Sequence, residues 1–259
     1  MKQTPNRQDI SRRSLLQFGV GLVGTTSLTA WLGTGALART VEQRTSQANP
    51  QANSNQIAAE SEGVEPGSGL TPDEALAELM AGNQRFVDKK RLNPHQDFVR
   101  ISQVAEKQAP FAAILSCADS RVVPEIAFDQ GIGDLFVVRV AGNIASIEEM
   151  ASEEFAVGVL GAPLLVVLGH ERCGAVSAAL EGGDFPGVIE SLAVAIRPAV
   201  QASEGEPGDR LTNAVKANVR LQVQKLQSSY IVASAVQEGK LKVVGAYYDL
   251  DTGEVSLVS

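Results

Sequence analysis

Apolar positions along the chain fall into two patterns. Residues 111–116 (FAAILS), 135–140 (LFVVRV), 163–169 (PLLVVLG) and 241–250 (LKVVGAYYDL) are short, nearly unbroken apolar runs. Such runs predict strands covered on both faces, as in a parallel sheet; a half-exposed strand would alternate. Residues 122–129, 147–161, 173–181, 187–202 and 209–237, lying between them, read as helices. The alternation predicts an α/β fold, a mostly parallel central sheet with flanking helices and right-handed crossovers. An Asp-Thr-Gly turn in the tail (DLDTGEVSLVS) predicts that the last strand forms an edge hairpin. Upstream, TPDEALAELMAGNQRFVDKK predicts a helix capped by Thr71, with Pro72 at its first position and acids in its first turn. Leu76, Leu79, Met80 and Phe86 form its apolar stripe.

The first 70 residues break this pattern. Arg12 and Arg13 precede an uncharged stretch from Ser14 to Ala38 that ends in Ala-Leu-Ala before Arg39. A transmembrane anchor is the competing reading, since the stretch is long enough to span a bilayer. Its glycines, threonines and serines dilute the hydrophobicity, which favours a twin-arginine export signal over residues 1–38. Residues 39–70 are rich in Gln, Asn, Ser and Gly and predict a flexible linker. Residues 71–259 then form one domain. The expected location is the periplasm or another extracytoplasmic lumen, with no stable membrane insertion once the signal is cleaved.

Charge narrows the partners. The chain carries −8 overall, and cleavage after Ala38 would remove a net +3 and leave −11. With no basic stripe, nucleic acid is not an expected partner. The composition, 44% hydrophobic and 20% charged, is sufficient to bury a core.

Candidate chemistry sits in two short stretches, CADSR (117–121) and GHERCGAV (169–176), which hold both cysteines and one of the two histidines. Cys117 follows one predicted strand and His170 another, so both emerge at carboxyl ends, where α/β sheets gather ligands. Cys173 falls on the first turn of the next helix. Two thiolates and an imidazole suit zinc, and three ligands leave a fourth position open. Asp119 is placed to occupy or adjoin that position, and Arg121 to pair with its carboxylate. Spacing alone leaves three readings open: a zinc site, a disulfide, or two unrelated thiols. His95, after Pro94, is expected to be an exposed bystander.

CADSRVVPEIAFDQGIGDLFVVRVAGN, followed by LLVVLGHERCGAV, resembles the β-class carbonic anhydrases. Their pattern is Cys-x-Asp-x-Arg, a strand ending in Arg-x-x-x-Asn, then His-x-x-Cys-Gly, and the likeness runs from about Leu70 to the C-terminus. It implies one zinc per chain on Cys117, His170 and Cys173, with Asp119 and Arg121 as a dyad beside it. Zinc-bound hydroxide would then attack CO2, giving bicarbonate and a proton. Asp119 would ligate the metal only in a closed state. Gln130 resembles a family glutamine that hydrogen-bonds CO2 or bicarbonate across a dimer interface, which implies a homodimer or larger homo-oligomer. Ile114 stands where bicarbonate-regulated members carry tryptophan, so that regulation is not expected. A noncatalytic zinc-binding relative and a CS2 or COS hydrolase on the same scaffold are the alternatives.

Overall fold

The computed structural model describes residues 68–258, so the expected export signal and all but the last residues of the linker lie outside it. Helices α1 (Pro72–Val87) and α2 (Phe98–Val104) precede strand β1 (Ala112–Ser116). There follow α3 (Pro124–Ala127), β2 (Leu135–Arg139), α4 (Ile147–Gly158), β3 (Leu164–His170) and α5 (Gly174–Glu181). A 3-10 turn leads into α6 (Glu190–Ala202), and α7 (Arg210–Gln227), α8 (Tyr230–Gln237), β4 (Lys242–Tyr248) and β5 (Val255–Val258) complete the domain.

The strands form one sheet in the order β2-β1-β3-β4-β5, parallel except for the β4–β5 hairpin. The expected α/β architecture and edge hairpin are therefore present. Every residue of β1 and β3 is buried. Because successive side chains point to opposite faces, Ile114, Val166 and Leu168 pack with Leu79 and Phe128 on one side. Leu115, Leu165 and Val167 pack with Val219, Leu226 and Val232 on the other. Helix α7 lies so close to the sheet that a Cβ on Gly169 would come within 2.5 Å of a Val219 methyl. No helix among the described residues is long and apolar enough to cross a membrane.

Two elements differ from the sequence expectation. The segment 209–237 is two helices, because the Ser229 hydroxyl accepts a hydrogen bond from the Val232 amide and caps α8 afresh. Helix α2 has no counterpart among the predicted elements: none of its residues is buried, so it leaves no amphipathic stripe to read. The α1 N-terminus is as expected. Thr71 and Glu74 form a reciprocal capping box.

Candidate metal centre

Strand order decides the site. β1 pairs directly with β3, with Ser116 opposite Leu168, so Cys117 and His170 emerge at the same rim. Cys173 is the N-cap of α5 rather than a residue of its first turn. The ligand atoms of Cys117, His170 and Cys173 all lie within 4.8 Å of one another, and all three residues are buried. The two sulfurs are 4.0 Å apart, and both cysteines are free.

A tetrahedral zinc with bonds of about 2.3 Å to each sulfur would separate them by about 3.8 Å. The observed spacing fits that and is twice a disulfide bond. His170 Nδ1 lies 2.8 Å from the Glu171 carbonyl, an arrangement in which that nitrogen donates. Its Nε2 is buried with no hydrogen-bond partner, which a buried polar atom rarely tolerates unless something binds there. The Cys173 thiol and the Gly142 N–H, 3.3 Å from Cys117 Sγ, both donate to that sulfur and hold its thiol well below the usual range, at about 4. The same pairing, with burial, pushes Cys173 up.

Asp119 stands at the mouth, its Oδ2 3.8 Å from His170 Nε2. Arg121 donates to both carboxylate oxygens, at 2.9 and 2.7 Å, and its backbone N–H donates to Oδ1 at 2.9 Å. These bonds hold the Asp119 carboxyl well below the ordinary carboxylate range, so it is an acceptor at any working pH. The fork-like pairing expected from the Asp-x-Arg spacing is therefore present.

Several supporting residues were not legible as such. Arg139 ends β2 and donates to the carbonyls of Cys117 (3.1 Å), Asp119 (2.7 Å) and Val122 (2.8 Å), clamping the whole cysteine loop. On α7, Asn218 donates to the Gly142 carbonyl at 2.8 Å, and Gln222 accepts from the Ala145 amide at 2.9 Å. Gln222 also donates to Asn218 at 2.8 Å. This buried ladder positions the Gly142 N–H that reaches Cys117. Gly142 itself sits at φ 75°, a left-handed conformation that favours glycine. Two polar residues four apart within a buried helical stripe were the available clue.

Gln130 is not brought to the ligand triad by hydrogen bonding. Its amide donates to the Phe128 carbonyl at 3.1 Å, and the residue lines a surface cleft with Gln96, Glu125 and Ile132. His95 is half-exposed in a loop, as expected, but is not a free bystander: its Nδ1 lies 2.8 Å from both oxygens of the buried Asp134.

A family model described as carbonic anhydrase matches residues 112–255. Carbonic anhydrase 2 of Mycobacterium tuberculosis is 39% identical over 191 residues, covering 72% of this chain and 92% of that protein. A carbonic anhydrase of Mycolicibacterium smegmatis is 38% identical over 193 residues, covering 73% and 94%. Among solved structures, the Coccomyxa β-carbonic anhydrase in complex with acetazolamide superposes with a TM-score of 0.58 at 31% identity, covering 71% of this chain and 86% of that one. One of two tetrameric β-carbonic anhydrases from Sordaria macrospora gives 0.57 at 26% identity, covering 72% and 98%.

Proposed function

The chain belongs to the β-class carbonic anhydrases, lyases that hydrate CO2 reversibly, and on that premise we propose how its residues divide the work. Cys117, His170 and Cys173 would hold one zinc per chain. When bound, the metal supplies a Lewis acid that makes water a usable nucleophile near neutral pH. The buried Nε2 of His170, which has no hydrogen-bond partner, together with ligand atoms of Cys117, His170 and Cys173 within 4.8 Å of one another, is the observation that carries this reading.

Asp119 accepts a hydrogen bond from the attacking water and fixes its direction. Arg121 keeps that carboxylate ionised and fixes its orientation by donating to both oxygens. The ligands are buried while Asp119 and Ala118 reach solvent, so CO2 enters and bicarbonate and the proton leave on the Asp119 side. Asp119→Ala is expected to retain one zinc per chain but lose hydration activity by about 100-fold or more. Stopped-flow hydration with zinc analysis on the same sample checks this. Undiminished turnover would remove Asp119 from the mechanism, and repeating the assay with CS2 and COS identifies the preferred substrate.

The active form is a homo-oligomer. The exposed Leu92, Phe98 and Val99 leave an apolar face around α2 that a second copy would cover. A substrate role for Gln130 depends on that neighbouring copy, because in its own chain its amide is engaged away from the triad.

Residues 1–38 direct twin-arginine export, and residues 39–70 tether the domain that follows. That route carries folded proteins, so zinc would enter in the cytoplasm while both cysteines are reduced, ahead of an oxidising compartment. Replacing Arg12 and Arg13 with lysine is expected to leave active enzyme in the cytoplasm. Cell fractionation reads the result, and normal export of the double variant would overturn the assignment.

A further inference from the structure

We infer that the tip of the β4–β5 hairpin is a positioning element of the metal centre: Asp251 holds Arg172 so that the Arg172 carbonyl keeps Arg121, and through it Asp119, in place. The inference rests on the catalytic reading above and adds two residues to it.

Glu171 and Arg172 are the two residues between the ligands His170 and Cys173. Both carbonyls accept hydrogen bonds from residues of the site. The Glu171 carbonyl takes the His170 Nδ1 bond at 2.8 Å, and the Arg172 carbonyl accepts from Arg121 at 3.3 Å. To do so Arg172 adopts φ 51°, a left-handed conformation that is costly for a residue with a side chain. Something must hold it there, and the hairpin tip does.

Asp251 accepts from both terminal nitrogens of Arg172, at 2.7 and 3.0 Å. The Leu250 amide donates to Glu171 Oε2 at 3.1 Å, and the Glu171 amide donates to the Tyr248 carbonyl at 2.9 Å. The tip is itself preformed. Asp249 Oδ1 accepts from the amides of Asp251 (2.9 Å) and Thr252 (2.8 Å), and Asn83 donates to the Gly253 carbonyl at 2.9 Å. A rigid turn thus pins a strained loop at its most exposed point.

The Arg172 and Asp251 side chains are 49% and 69% exposed. An ion pair that open to water adds little to stability, so its consequence is geometric. The 3.3 Å contact from Arg121 to the Arg172 carbonyl is the longest of the hydrogen bonds Arg121 makes to Asp119 and this loop. It is therefore the first to break if the loop shifts.

The test compares Asp251→Ala and Asp251→Asn with the wild type, as zinc enzymes for hydration and as cobalt-substituted enzymes for visible absorption. Asp251→Ala is expected to lower kcat roughly 10-fold with KM nearly unchanged, and to alter the cobalt d–d bands. Its Tm should move by no more than about 3 °C. Asp251→Asn, which keeps one oxygen for Arg172, should fall between. In an Arg121→Ala background, Asp251→Ala should have no further effect. Wild-type kcat and an unchanged cobalt spectrum in Asp251→Ala would overturn the inference. So would the same fold-loss in the Arg121→Ala background, since the effect would then bypass Arg121. A wild-type protein that binds neither metal, or that binds zinc and hydrates no CO2, would instead overturn the catalytic reading itself.

Discussion

Cys173→Ser is expected to yield a chain that folds, holds no stoichiometric zinc, and hydrates CO2 at the uncatalysed background rate. A serine hydroxyl does not ionise near neutral pH, so one of only two thiolates is lost from a three-residue donor set. The change also removes the sulfur that sits 4.0 Å from Cys117 Sγ, the spacing that two zinc ligands need. The loss should exceed the roughly 10–100-fold typical of changes outside the ligand shell. Zinc content per chain and hydration rate on one preparation are the measurements. Full zinc occupancy in the variant would show that Cys173 is not a ligand.

The second large effect lies away from the site. Glu153 on α4 is fully buried, and neither carboxylate oxygen has a hydrogen-bond partner. Burial alone raises its pKa to about 8. Helix α4 packs on β1, β2 and α8. Among those elements the charged or titratable groups are Arg139, committed to three carbonyls, and Tyr230, which is 85% exposed. Nothing there compensates an anion.

Between the unfolded value near 4.5 and about 8, the folded state keeps a proton that the unfolded chain has released. Stability therefore falls as pH rises through that window, by up to about 5 kcal/mol from this group, and levels off above pH 8. Glu153→Leu removes the term. Its stability gain over wild type should be greater at pH 9 than at pH 6, by about 3 kcal/mol. Denaturant unfolding at the two pH values, at matched metal loading, reads this directly. An equal gain at both would mean that Glu153 is not a neutral acid in the native state.

The sequence by itself determined the strands that carry the chemistry. Four apolar runs too continuous for a one-sided sheet marked β1 to β4, and the carboxyl ends of two of them placed Cys117 and His170. Thr71, Pro72 and the acids of the first turn marked where α1 begins, because a helix cap is a contact within four residues. The spacing of Asp119 and Arg121 put their pairing within reach for the same reason. Tertiary structure decided everything that joins distant segments. The adjacency of β1 and β3 brings two half-sites into one centre. Asn218 reaches Gly142 across 76 positions, and Arg172 reaches Asp251 across 79. Glu153 is one of four glutamates on α4, and only the packing of that helix buries it. Local patterns encode spacing along a strand or a helical turn. Which faces meet is settled only when the chain folds back and all of them compete for the same core.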